Sequence, residues 1–146
     1  MRKLGAGKLI GALAAFLMLG GAAPVADLDI AITGLRDHKG ELRLCLTANP
    51  RKFPSCVGDP RAIARSVPAS QTRLDFAGLP QGDWAVAVIH DANGNAKLDT
   101  LMGVPREGFG FSNNPTIRFG PPSFSAARFT LGSGKEVETI KMKYLL

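Results

Sequence analysis

From Leu28 onward the apolar residues of this chain recur with a period of two. Leu28-Asp-Ile-Ala-Ile32, Leu42-Arg-Leu-Cys-Leu46 and Thr72-Arg-Leu-Asp-Phe76 each carry apolar side chains at alternate positions, the spacing at which successive residues of a β-strand face opposite sides of a sheet. Trp84 to Ile89 is nearly continuous apolar, which predicts a central strand covered on both faces. Two further strands fit Ala126 to Leu131 and Val137 to Tyr144, the second setting Val137, Thr139, Lys141 and Lys143 against Glu138, Ile140, Met142 and Tyr144. Roughly seven short strands punctuated by glycine and proline predict an all-β fold, an antiparallel β-sandwich. Between Asn49 and Pro68 stand four prolines with Arg51, Lys52, Arg61 and Arg65. That segment is expected to be a long surface excursion, with at most a helical turn over Arg61 to Arg65. Its cations, without interleaved aromatics, read as solvated surface more readily than as a patch for an acidic partner.

The first residues change the compartment. Arg2, Lys3 and Lys8 make a basic start, and Leu9 to Leu19 is an apolar run leading into small residues, the pattern of a secretory signal peptide. Gly20, Gly21 and Pro24 interrupt it short of the ~18 apolar residues a membrane span needs. The expected organisation is therefore a signal peptide over residues 1–26, cut between Ala22 and Ala26, and one sandwich domain over 27–146, periplasmic or secreted, with no stable membrane insertion after cleavage. No cysteine near the cut offers a lipid attachment point. Removing three cations leaves 15 against 12 acids, so the net charge falls from +6 to +3 and nucleic-acid binding loses its main support. Cys45 and Cys56 are the only cysteines. In an exported chain such a pair reads as a disulfide pinning the loop from Pro50 to Pro60, contributing about 3 kcal/mol in the chain-entropy model; the other reading is two thiols, with Cys45 buried in a strand.

The richest chemistry follows the central strand. In His90-Asp-Ala-Asn-Gly-Asn-Ala-Lys-Leu-Asp99, with Asp91 as position one, Asn93 and Asn95 fall at three and five, the Lys97 carbonyl at seven and Asp99 at nine. This is the oxygen spacing of a loop that wraps Ca²⁺. Ala96 stands where such loops want glycine, and Met102 where they want a bidentate glutamate. A left-handed alanine costs about 1 kcal/mol, and Glu107, Asn113, Asn114 or water would have to complete the shell. With two assured carboxylates the affinity falls in the weak extracellular range of ~10⁻⁴ to 10⁻³ M. The competing reading is a metal-free turn in which Asp91, Asn93 and Asn95 hydrogen-bond their own backbone.

His90 beside Asp91 suggests a general base or a ligand for a softer metal. Against this, the only other histidine is His38, and an imidazole more often fixes a loop by bonding a carbonyl. Gly103 to Asn114 is rich in glycine and phenylalanine but lacks the lysine-serine pair and helix of a phosphate loop. Phe109 and Phe111 would stack on a planar ligand, with Arg106, Glu107, Asn113, Asn114 and His90 around it, or would tuck under the loop to hold it against the sandwich. Packing is the favoured alternative.

Leu79-Pro-Gln-Gly-Asp-Trp84 forms a proline-led turn that sends Trp84 into the core. It resembles the corresponding step of transthyretin-like and carboxypeptidase-regulatory-like sandwiches, within the wider immunoglobulin-like class. Leu79 to Ile89, His90 to Asp99, Gly103 to Asn113 and Phe119-Gly-Pro-Pro-x-Phe124 occur in this order in one bacterial family, and from about Leu28 to Tyr144 the chain resembles the exported domain of unknown function family 2141. The resemblance implies a small exported β-sandwich with no assigned activity. Two functional classes follow. One is a non-enzymatic binding or structural module of the envelope, with a Ca²⁺-ordered or self-bonded loop and an envelope component or small polar ligand as partner. The other is a small hydrolase using His90 with Asp91, or a water activated by a metal on Asp91 and Asp99. No serine elbow, catalytic cysteine motif or histidine cluster accompanies the second.

Overall fold

The structure, a computed structural model, describes residues 20–146. Arg2, Lys3, Lys8 and the apolar run Leu9 to Leu19, on which the signal peptide rests, lie outside the described residues. In chain order the elements are β1 (Val25–Thr33), β2 (Glu41–Thr47), β3 (Ile63–Pro68), β4 (Arg73–Pro80), β5 (Gly82–Asp91), β6 (Thr100–Leu101), β7 (Val104–Pro105), β8 (Gly108–Phe111), α1 (Phe124–Ala127), β9 (Phe129–Leu131) and β10 (Gly134–Lys141). One sheet runs β10-β1-β4 and the other β3-β2-β5-β8, with β9 also pairing β5 and β6-β7 forming a small hairpin. All pairs are antiparallel except β1 with β10, which are parallel.

The alternation seen in the sequence sets the core. Leu28, Ile30 and Ile32 of β1, Leu74 and Phe76 of β4, and Ile140 of β10 with Met142 beyond it face Leu42, Leu44 and Leu46 of β2 and Trp84, Val86 and Val88 of β5 across the sandwich. The register places Leu42 beside His90, Leu44 beside Val88 and Leu46 beside Val86, so one side of β5 belongs wholly to this core. Burying each such side chain stabilises the fold by roughly 1.5–3 kcal/mol. Trp84 also donates its ring N–H to the Pro80 carbonyl at 2.9 Å, and Gly82, at φ 129°, makes the step between the sheets.

The other side of β5 is covered too. Ala85 and Ala87 lie under Phe109 and Phe111 of β8 and Ala127, with Phe53, Ile117 and Phe124 packed against them. Phe53 meets Phe111 and Phe124 edge-on at 5.9 and 6.1 Å. The Cys45–Cys56 disulfide is formed, with Cα atoms 5.6 Å apart, and ties the excursion after β2 down on this same outer face. The excursion is held again where the Thr47 hydroxyl donates to Asp59 at 2.7 Å.

Three elements differ from the sequence reading. The excursion from Asn49 to Pro68 ends in the edge strand β3 instead of a helical turn at Arg61 to Arg65. Only Val67 of it is buried, so the strand carries little alternation, and Arg65 reaches over the Phe76 ring at 4.4 Å. The Gly103 to Asn114 run is not one loop but contains the fully buried strand β8. Its period of two is disguised because glycine fills the inner positions: a Cβ on Gly108 would stand 2.5 Å from the Tyr144 ring, and one on Gly110 2.8 Å from Ile140. Ala126 to Leu131 starts as the helical turn α1, capped by Ser123, before β9.

Two expectations follow. Gly108→Ala, checked by thermal melting, should cost about 2 kcal/mol because the methyl collides with a packed ring. Several carboxyls are held below the usual range: Asp59 chiefly by Thr47, Asp83 chiefly by Thr130 and then by Arg128, and Asp29 chiefly by Lys135. Their contribution is complete above the ordinary carboxylate pKa of ~4 and is lost as pH falls through the lowered values. The stabilisation from these carboxyls should therefore hold level from neutral pH to about pH 5 and fall below about pH 4, and Thr47→Val should flatten that acid limb in denaturant titrations.

Candidate functional site

The connection from β5 to β8 spans residues 92–107 and folds over the outer face. Its two ends are stitched by Glu107, a buried residue, whose carboxylate accepts from the amides of Ala92 at 3.2 Å and Asp99 at 3.1 Å. Gly40, at φ 69°, backs this junction so closely that a Cβ there would stand 2.1 Å from the Asp91 carbonyl oxygen. No other residue type fits at that approach.

Within the connection the polar side chains turn inward on the loop. Asp91 is fully buried and accepts from the amides of Asn95 at 3.1 Å and Ala96 at 2.7 Å. Asn93 and Asn95 accept from the amides two residues on, at 3.1 and 3.0 Å, which are Asx turns. Their own side-chain amides converge on Asp99, from Asn93 at 2.6 Å and from Asn95 at 2.8 and 3.0 Å. These donors, Asn95 foremost, with Arg106 and Lys97 adding charge, hold the Asp99 carboxyl below the usual range. Ala96 takes the left-handed conformation that position six of such a loop requires, at φ 64°. Lys97 is exposed, and the Arg106 amide closes the turn by donating to the Asp99 carbonyl at 2.8 Å. Among the described residues no three of His, Cys, Asp and Glu gather as a metal-holding group. A hard cation here would rest on Asp91 and Asp99 with amide and main-chain oxygens.

His90 is 1% exposed and sits on the core side of β5. Its Nδ1 lies 2.7 Å from the Tyr144 hydroxyl and its Nε2 2.8 Å from the Lys39 carbonyl. The Lys39 carbonyl can only accept, so Nε2 donates to it, and the tautomer carrying its proton on Nε2 leaves Nδ1 to accept from the Tyr144 hydroxyl, whose oxygen in turn accepts from the Arg36 amide at 3.1 Å. Burial pushes the Tyr144 hydroxyl pKa up, consistent with a phenol kept protonated in this chain. Nothing in the sequence pairs position 90 with position 144. That contact is made by β10 running on past Lys141, where Phe109 and Lys143 exchange main-chain hydrogen bonds at 3.0 and 2.8 Å.

Phe109 and Phe111 are buried at 5% and 9% exposure, packed as the favoured alternative expects. Asn113 and Asn114, both at positive φ, are corner ties: Asn113 donates to the Ala126 carbonyl at 3.0 Å, and Asn114 donates to the Thr139 carbonyl at 2.7 Å while accepting from the Lys141 amide at 2.8 Å. Arg106 is exposed.

Beside this network opens a cleft of about 360 Å³. Its floor is Ala87, Ile89, Phe109 and Phe111; one wall is the segment Leu98 to Pro105, the other Ile117 to Pro121, with Pro54 and Leu145 at its margin. Of its lining residues only Phe109 and Phe111 were named as ligand contacts in the sequence. Leu98, Ile117, Arg118 and Pro121 are isolated in irregular segments and carry no periodic signal. A second, more open hollow of about 490 Å³ lies beside Asp83 and Arg128, but those two side chains already pair at 2.8 Å.

No curated protein and no solved structure matches the chain. Residues 30–140, spanning both sheets, the acidic loop and the walls of the cleft, match a bacterial family described as "Uncharacterized protein conserved in bacteria". The chain therefore belongs to the DUF2141 family.

Proposed function

We propose that this protein is a non-enzymatic binding module of the bacterial envelope, acting in the periplasm or outside the cell, with the 91–121 region as its working surface. The observation that carries this reading is the cleft: it is walled by apolar side chains, and no acid–base pair lines it. Pockets of ~300 Å³ or more with few polar groups are where small ligands bind. The hydrolase alternative draws its chemistry from His90 and Asp91, yet both are buried and committed to neighbours in the chain. The disulfide supports an oxidising compartment. A leader removed at Ala22 or Ala23 leaves β1, which begins at Val25, whole.

Ca²⁺ belongs to this reading as an ordering ion. The Asp91 and Asp99 carboxylates would hold it with Asn93, Asn95 and the Lys97 carbonyl, while Glu107 clamps the loop ends. The ion would supply fixed positive charge to the Asp91 and Asp99 carboxylates, and the same connection continues into Leu98 to Pro105, the wall of the cleft. Ordering one orders the other.

Millimolar Ca²⁺ should raise the melting temperature by a few degrees through native-state linkage and shift the amide signals of residues 91–103, and Asp91→Asn should abolish both. Unchanged spectra in Ca²⁺ and in EDTA would rule the ion out. His90→Gln should cost about 2–3 kcal/mol by leaving Tyr144 and Lys39 without their partner. A turnover of esters, glycosides or phosphoesters that vanishes in a still-folded His90→Gln protein would overturn the module reading in favour of the hydrolase.

A further inference from the structure

The cleft differs from an ordinary surface hollow in three ways. Its floor and walls are mostly apolar, Arg118 is the only charged residue that lines it, and its two wall segments carry the two most exposed large apolar side chains of the described residues. These are Met102 at 96% and Phe119 at 98% exposure. Met102 adjoins the lining residue Gly103, and Phe119 sits between the lining residues Arg118 and Gly120, so each wall segment carries one of them. Leu145, which lines the same opening, is half-exposed as well. An apolar lining open to solvent, with large apolar side chains exposed on both wall segments, is the kind of surface that marks a binding site.

Charge decides which apolar ligand fits. Arg118 makes no hydrogen bond or ion pair within 4.0 Å among the described residues, unlike Arg36, Arg43, Arg65 and Arg128. A guanidinium at the lip of an apolar slot is complementary to a molecule with a hydrocarbon body and one anionic end, because the planar fork meets a carboxylate in two parallel bonds. Asp99 and Glu107, the nearest carboxylates in sequence, are turned into the loop network and do not line the cleft. A cationic amphiphile would find no partner there.

We propose that the cleft between Leu98–Pro105 and Ile117–Pro121 binds a single-chain anionic amphiphile, an alkanoate in its simplest form, with the chain on Phe109 and Phe111, the carboxylate at Arg118, and Met102 and Phe119 extending the apolar surface past the mouth. The site deepens the binding-module reading and rests on it.

Dodecanoate below its micellar concentration serves as the probe, followed by calorimetry and by amide shifts, with dodecanol and dodecyltrimethylammonium as uncharged and cationic counterparts. Binding with a stoichiometry of one, confined to residues 87–121 and ordered dodecanoate over dodecanol over the ammonium, is the expected result. Arg118→Gln should weaken dodecanoate about tenfold and leave dodecanol unchanged, and Ile117→Trp, which fills the slot, should weaken both. Shorter alkanoates should bind progressively more weakly, and Met102→Ser with Phe119→Ser should remove the gain from the longest chains only. Should Ile117→Trp fail to fold, the shift map on the unaltered protein still locates the site. Equal affinity for all three head groups, or an Arg118→Gln protein that binds dodecanoate normally, overturns the assignment of the anion to Arg118. Shifts elsewhere, or none, overturn the amphiphile. If another compound class moves the 87–121 signals when alkanoates do not, the module survives without this ligand; if no class does, both fall.

Discussion

The register between β5 and β8 is the constraint on which the rest of the molecule depends. Pairing Val88 with Gly110 and His90 with Gly108 turns the two glycines inward, and pairing Ala87 with Phe111 and Ile89 with Phe109 turns both rings outward. A slip of one residue would exchange the faces. Rings would then meet Tyr144, Ile140 and Met142 where not even a methyl group fits, and the outer face would lose its cover. One strand pairing thus seals the sandwich against β10 on one side and builds the cleft floor on the other.

His90 belongs to the same arrangement. It occupies the last core position of β5, where an apolar side chain would leave the Tyr144 hydroxyl and the Lys39 carbonyl facing each other without a donor between them. The imidazole supplies one acceptor and one donor along a line, which fits this gap. The run from the Arg36 amide through Tyr144 and His90 to Lys39 fastens the β1–β2 connection and the end of β10 to the strand from which the acidic loop springs. The residue that looked most catalytic in the sequence ties the strand from which the acidic loop springs to the chain's end and to the β1–β2 connection.

How much of this was legible followed from where chemistry leaves a repeating trace. Alternation named β1, β2, β4 and the inner face of β10, a continuous apolar run named β5, and compartment logic paired Cys45 with Cys56. Strands β3 and β8 were hidden for opposite reasons: β3 is an edge that buries only Val67, and β8 is buried so tightly that glycine replaces half its pattern. The acidic loop was readable because an Asx turn needs only its own neighbours, and the alanine at position six does adopt the left-handed geometry its place demanded. The cleft was not readable. Leu98, Ile117 and Arg118 come together only through the path of two irregular segments, and Tyr144 reaches His90 only through the long-range closure at Phe109 and Lys143.

The parallel pairing of β1 with β10 carries a consequence for assembly. Leu28 and Ile30 lie in register with Glu136 and Glu138 of β10 on one side and with Phe76 and Leu74 of β4 on the other, so the first strand described sits in the middle of a sheet whose far neighbour emerges last. Contacts this distant along the chain set in slowly, after loop-closure entropy has been met. Until residues 134–141 exist, β1 has an open edge and half of its sheet cannot form. The three-stranded sheet therefore closes only once the last strand has been made, and its completion is the final step of the sandwich.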